Sequence, residues 1–232
     1  MKKLEVFIPG ETIDLCTPTR EFAQKSKWYT WFNNPEITRY LGERGEYRNT
    51  PALQEKFFLS EPKKRLILII TTKEKVYKGV VSLSFINYKK RTCDIAIVTD
   101  FLIEPQYSPY ASLEAIARIT QHGFDKMGMK RISGGAHINL RNWQQRMELF
   151  GYRIESVNRN SFIKGKEVSN SMTISCLHDD YLSIIKNRGK LWDNLRKMKK
   201  RIDKLPKKTF RDQLLNFFNS NGSKYYKKLF KL

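Results

Sequence analysis

Cysteine is scarce in this chain: Cys16, Cys93 and Cys176 lie far apart and form no CxxC pair. An odd, scattered set argues against a disulfide framework and predicts buried thiols in a reducing compartment. Histidine is equally sparse. His122, His137 and His178 are isolated, no local spacing supports a zinc or iron site, and they read as structural or surface residues. Long apolar runs are missing too. The longest, Leu66-Ile67-Leu68-Ile69-Ile70, is strand-sized, far short of the roughly 18 residues that mark a membrane span. The start, Met1-Lys2-Lys3-Leu4-Glu5, is basic but has neither a long apolar core nor a small-residue cleavage site. No signal peptide is expected, and a cytoplasmic location is.

Negative charge is the largest deficit. The chain holds 44 Lys and Arg against 23 Asp and Glu, a net charge of +21. Residues 186–232 carry +13 of this, with 16 basic residues and 3 acidic ones. The C-terminal end is therefore a concentrated source of positive potential. The 232 residues, 40% hydrophobic and 12% aromatic, suffice for one substantial core with material left for a tail.

Periodicity divides the chain further. Leu4 to Ile8 reads as extended, and Thr12 to Thr17 alternates as a half-buried strand should. Thr19 can cap a helix running to the aromatic group Trp28, Tyr29, Trp31 and Phe32; Asn33-Asn34-Pro35 breaks it, and Pro35 can start another short helix. Gly42 to Asn49 reads as a loop and Pro51 to Leu59 as a helix. Leu66–Thr72, Val76–Ile86 and Thr92–Thr99, joined by polar turns, predict an antiparallel meander. The period then becomes helical from Ser112 to Lys126. A strand follows at Ile132–Ile138, then a helix from Asn139 to Phe150 stopped by Gly151, then two strands around Lys164-Gly165-Lys166. The order predicts an α+β fold: a mixed, mostly antiparallel sheet flanked by helices.

Trp31-Phe32-Asn33-Asn34-Pro35-Glu36-Ile37, Tyr77-Lys78-Gly79-Val80-Val81-Ser82-Leu83, Ser112-Leu113-Glu114-Ala115, Phe124 to Ile132, and Asn139 followed by Glu148-Leu149-Phe150-Gly151-Tyr152 occur in that order. Together, over residues 12 to 182, they resemble segments of the GNAT N-acyltransferase superfamily, in particular its bacterial ribosomal-protein N-terminal acetyltransferase branch. The resemblance implies a GNAT-type sheet and an acetyl-CoA site where the strand at Thr92–Thr99 splays from the strand at Ile132–Ile138. It implies that backbone groups of Ile97, Val98 and Thr99 pair with the pantetheine arm. Ser108, Tyr110, Ala111 and Ser112 would bind the pyrophosphate before the long helix, with Asn139 as an anchor or helix cap. A helix N-terminus suits such an anion through its free N–H groups and its dipole.

The chain departs from the family pattern at two places. Ser108 and Tyr110 stand where the family's loop has glycines, and Pro109 contributes no N–H. The position of the frequent tyrosine donor is Met147, and that of the alternative serine is Asn142. By resemblance Asp94 is the candidate base, its other reading being a solvated or salt-bridged strand carboxylate. Asn142 can donate a hydrogen bond but no proton, so Tyr107, Tyr110 or a water would protonate the departing thiolate.

Beyond Lys190 the apolar residues Leu191, Leu195, Met198, Ile202 and Leu205 follow a helical, near-heptad spacing that Pro206 ends. Thr209 caps a second segment, Asn219 to Ser223 reads as a flexible break, and the last nine residues interleave aromatics with lysines. Arg196, Lys197, Lys199, Lys200, Arg201, Lys207 and Lys208 are the candidate polyanion contacts. Three readings stay open: nucleic acid, a membrane surface or assembly partner (a second copy included), or a solvated helix pair docked on its own domain. The lopsided charge favours the first two.

The expected organisation is an acyltransferase-like domain over 1–183 and a basic amphipathic helical extension over 184–232. The expected function is transfer of an acetyl group from acetyl-CoA to a primary amine on a protein or small molecule. The alternative is a GNAT-fold binding or structural protein that has lost catalysis and acts through its basic tail.

Overall fold

The structure, a computed structural model, describes residues 3–42, 46–59, 63–101 and 108–231, with backbone alone for Leu59, Ser108 and Pro109. Among the described residues eight strands form one sheet: β1 (Val6–Pro9), β2 (Ile13–Cys16), β3 (Leu66–Thr72), β4 (Tyr77–Asn87), β5 (Thr92–Thr99), β6 (Arg131–His137), β7 (Arg153–Lys164) and β8 (Glu167–Leu177). Their order is β1-β2-β3-β4-β5-β6-β8-β7. Every neighbouring pair is antiparallel except β5 and β6. Helix α4 (Ser108–Asp125) makes the crossover that this parallel pair requires.

Strand β3 shows why the sheet is covered on both faces. Leu68 and Ile70 point into the core formed with α4, including Leu113 and Ile116. Ile67 and Ile69 point into a second cluster with Phe22, Trp28, Trp31 and Phe32. An uninterrupted apolar run is what a strand buried on both faces demands. The same sandwich corrects the expectation for β2. All four of its residues are buried, because Ile13 and Leu15 meet the α4 side while Cys16 meets the aromatic cluster. Its one charge, Asp14, is held by Lys73 at 2.6 Å.

The single helix expected after Thr19 is divided. Thr19 caps α1 (Arg20–Lys25), accepting from the Phe22 N–H, but Ser26 is extended and a 3-10 turn follows at Trp28–Phe32. The tighter turn brings Trp28 edge-on to Trp31 and Phe32 while its face stacks on Phe58 at 4.4 Å. Next come α2 (Pro35–Thr38), capped by Asn34, and α3 (Pro51–Leu59).

Helix α4 begins four residues before the expected Ser112, since Pro109 is compatible with a first helical turn. Helix α5 (Arg141–Glu148) begins later than expected. Its N-cap is Leu140, while the Asn139 N–H donates to Nδ1 of His137 at 3.1 Å. Asn139 is thus not the cap. Gly151 closes α5 at φ +89°, where a Cβ would approach Cys176 Sγ to 3.0 Å. All three cysteines are free and buried, as expected.

Helix α6 (His178–Arg188) spans the expected boundary at 183/184. The seam beyond it packs inward: Leu191, Trp192 and Met198 are buried in the α4-side core, with Leu195 and Ile202 against it. Helices α7 (Leu195–Asp203) and α8 (Phe210–Phe217) are capped by Asn194 and Thr209. The break expected at Asn219 to Ser223 is instead a π turn (Phe218–Gly222) leading directly into α9 (Ser223–Phe230). The Ser223 N–H reaches back to the Phe218 carbonyl, so one extra residue enters the turn and later side chains rotate by about 100°. That rotation continues the side of Phe210, Phe217 and Phe218 into Tyr225, Tyr226, Leu229 and Phe230, all exposed.

Candidate functional site

The parallel ladder between β5 and β6 is short. Thr92 pairs with Arg131, Cys93 with Ile132 and Asp94 with Ser133, and there the pairing ends although β5 runs on to Thr99 and β6 to His137. Backbone groups beyond Asp94 therefore border a cleft instead of a neighbouring strand. Gly134 marks the divergence: a Cβ there would stand 3.2 Å from Ile95 Cγ2 and 3.3 Å from the Ile95 carbonyl. A side chain would force the strands apart sooner.

Two cavities line this cleft, of about 460 Å³ and about 650 Å³, and they share Tyr40, Leu41, Ile97, Val98, Leu140 and Trp143. The larger is bounded by Ile97, Val98, Thr99 and Ser112, with Arg39 and Arg146 at its rim. Ser112 Oγ donates to Thr99 Oγ1 at 3.2 Å and ties the first turns of α4 to the end of β5. The smaller lies over the opposite wall, among Phe32, Phe57, Arg65, Ser82, Asp94 and Met147.

Of the residues singled out in the sequence, Asp94, Ile97, Val98, Thr99 and Ser112 converge on this cleft. Ala111 is buried in the core instead. Tyr110 lines neither cavity; its ring packs on the core under Lys199, whose Nζ is 5.2 Å from the ring centroid. Asn139 and Asn142 are exposed and line neither cavity. Met147 does face the cleft, so the family's tyrosine position is in place with a thioether in it. Ser108 opens α4, and Tyr107 lies outside the described residues.

Burial raises the Asp94 carboxyl above its ordinary value, and Arg131 partly offsets that. Asp94 has no hydrogen-bond or ion-pair partner among the described residues, because the Arg131 guanidinium is engaged by Ser133 and Glu155. His137 is a different case. Its Nδ1 accepts from the Asn139 N–H, its Nε2 lies 2.7 Å from Ser169 Oγ, and its ring is clamped between Tyr40 and Phe162. Burial pushes its pKa down, partly offset by Glu167 at 3.3 Å, and the ring borders the smaller cavity. Among the described residues no His, Cys, Asp and Glu group could hold a metal ion. No described helix is long and apolar enough to cross a membrane.

Sequence reasoning missed Tyr40, which lines both cavities, and the α5 face Leu140, Trp143, Met147. The three-four spacing of that face was a usable signal. Docking of the tail on its own domain was one of three readings left open by the sequence. The tail crosses the start of α5: Arg141 pairs with Asp212 at 2.7 Å, Gln145 Nε2 donates to the Pro206 carbonyl at 2.6 Å, and Arg211 Nε donates to the Ile138 carbonyl at 2.9 Å.

No protein-family model matches the chain, and no curated protein matches it. Solved structures do. A spermidine N-acetyltransferase from Vibrio cholerae, in complex with CoA and spermine, superposes with a TM-score of 0.66 at 18% identity, covering 75% of this chain and 99% of that one. The microcin C7 self-immunity acetyltransferase MccE, in complex with acetyl-CoA and AMP, gives 0.59 at 19% identity, covering 72% and 93%. At such identities the likeness is one of architecture. With the splayed parallel pair, the crossover helix and the strand order in place, the chain has the fold of the GNAT acetyltransferases.

Proposed function

We propose that this protein transfers an acetyl group from acetyl-CoA to a primary amine. The observation that carries this reading is the break in the β5–β6 ladder after Asp94 and Ser133, which opens one cleft bordered by both cavities. Acetyl-CoA occupies the larger cavity, its pantetheine amides pairing with the backbone of Ile97, Val98 and Thr99. Ser112 and the free N–H groups at the start of α4 face the pyrophosphate. The relatives of like architecture, crystallised with CoA or acetyl-CoA, support this assignment.

The amine enters from the smaller cavity. Asp94 takes a proton from the ammonium, directly or through a water, and the neutral nitrogen attacks the thioester carbonyl. The C–N bond forms as the C–S bond breaks, and the departing thiolate takes up a proton. Met147 cannot supply it, and Tyr110 is turned away. Tyr40 lines both cavities and is the phenol we assign to that step.

The test is thermal unfolding with acetyl-CoA. A ligand confined to the native state adds about 2.7 kcal/mol at a hundredfold excess over its dissociation constant. No shift at saturation rules the transferase reading out.

The thioether at Met147 supports a second reading, in which the fold binds rather than catalyses and the basic extension does the work. Residues 184–232 then act as a polyanion-binding unit, with Arg196, Lys200, Lys207 and Lys208 in contact. Lys199 is drawn over Tyr110, while Lys197 and Arg201 pair with Asp193. Salt-dependent binding of RNA or DNA but not of anionic vesicles, lost when Arg196, Lys200, Lys207 and Lys208 are together replaced by Gln, supports it; equal binding by that variant refutes it.

A further inference from the structure

Strand register places three polar side chains in one row across the smaller cavity. Leu66 pairs with Leu83, so Arg65, one residue earlier, comes opposite Ser84, and Ser84 pairs with Asp94. Alternation puts Arg65, Ser84 and Asp94 on one face, and all three line the cavity. The next rung on that face is Ile67, Ser82 and Ala96, and the one after it Ile69, Val80 and Val98. The cavity floor therefore grades from charged to apolar along the strands. Two interstrand spacings separate the outer strands of the row, roughly 10 Å between the backbones of Arg65 and Asp94.

Neither charge in this row is paired directly among the described residues, Asp94 feeling Arg131 only at a distance. Among the described residues neither the Arg65 guanidinium nor the Asp94 carboxylate has a hydrogen-bond or ion-pair partner. Arg65 is held only by the ring of Phe57, 5.0 Å from its centroid, which orients the guanidinium without neutralising it. Among the described residues, Asp94 is the one carboxylate lining this cavity and Arg65 the one guanidinium. A polycation such as spermidine needs several anions around it and would meet Arg65 as a like charge. A ligand with one ammonium and one anion satisfies both groups, and the planar fork of an arginine suits a carboxylate or phosphate.

We propose that the acceptor is an amine that also carries an anionic group, with its ammonium at Asp94 and its carboxylate or phosphate at Arg65. This rests on the transferase reading above. Ser84, between the two, offers a hydroxyl to either end, and the apolar stem lies along Ile67 and Phe57.

The full-length chain is assayed by CoA release with matched amines. The pairs are 4-aminobutyrate and 6-aminohexanoate against their amides, and phosphoethanolamine against ethanolamine, with spermidine as the polycation. A charge-assisted contact to Arg65 raises kcat/KM for the anionic member of a pair about tenfold or more. Arg65→Gln brings that ratio close to one, chiefly through KM, and Arg65→Lys retains part of it. The carboxylate and phosphate pairs distinguish the two anions. A ratio near one in the wild type, a preference for spermidine, or a ratio unmoved by Arg65→Gln overturns the proposal while the acetyl-CoA thermal shift stands. Absence of that shift, with no amine turned over, removes the transferase reading and this inference with it.

Discussion

The indole N–H of Trp192 donates to the carboxylate of Glu11 at 2.8 Å, joining residues 181 positions apart. The same oxygen accepts from the Leu195 N–H at 2.8 Å. The Glu11 N–H in turn donates to Glu114 at 2.5 Å, and Glu114, fully buried on α4, also takes both donors of Thr12 and pairs with Arg118. One hydrogen-bonded chain thus runs from the long helix through the β1–β2 turn to the start of the extension. Trp192→Phe keeps most of the apolar volume and removes one donor, so it is expected to cost about 1–2 kcal/mol. Urea unfolding measures this. In a double-mutant cycle with Glu11→Gln, additive losses would show the bond carries no coupling.

Asp94 should reveal itself by separating activity from stability. Its folded-state pKa is raised by burial, so the native state holds its proton more tightly than the unfolded chain. Stability from this group therefore falls as pH rises through the unfolded and then the folded pKa. At pH 7 Asp94→Asn removes a partly desolvated charge from an exposed position on the cleft wall, and the variant should be about as stable as the parent. Acetyl transfer should drop by about 10²–10⁴. A variant that unfolds more readily at pH 7 contradicts this account of the side chain.

Asp193 behaves in the opposite sense. Two hydrogen bonds from Arg201 hold its carboxyl at about 2, below the roughly 3.9 of an unfolded aspartate. Its contribution is complete above the unfolded value and disappears as pH falls through the folded one. Asp193→Asn should lower the melting midpoint by on the order of 3 °C at pH 7. That difference should close between about pH 4 and pH 2. A constant difference across that window would mean the pair does not titrate as described.

Met147→Tyr places a phenol where the cleft has a thioether. If chemistry limits turnover, kcat should rise by about tenfold as the thiolate gains a positioned donor. Overpacking there costs about 1–3 kcal/mol. Tyr40→Phe separates the two donors: it should cut wild-type kcat strongly and the Met147→Tyr variant much less. Equal losses in both backgrounds remove Tyr40 from the step.

Local patterns made much of the sheet legible. Strands β3 and β5 have the expected bounds, because apolar and alternating runs between polar turns leave little freedom. The helical spacing expected from Leu191 holds only from Leu195, Leu191 and Trp192 lying in the non-helical link before it, and that spacing could not say that its partner is the core of its own chain. Asn139 looked like a cap because the residue type suits one; His137 Nδ1, brought there by the sheet, takes its N–H instead. The Arg65, Ser84 and Asp94 row was invisible for a deeper reason. It exists only once the register of three strands is set, and no local periodicity encodes register between segments.

Trp192, Leu191 and Met198 reach the core only after more than four fifths of the chain has been synthesised. The meander β3–β5 and its local hairpins can pair as they leave the ribosome and α4 can pack on that sheet, whereas the part of the core that Leu191, Trp192 and Met198 fill waits for residues 191–198. Nascent chains halted near residue 190 would therefore expose that part of the core and depend on chaperones. Emergence of residues 191–198 from the ribosome is thus the step that completes this core.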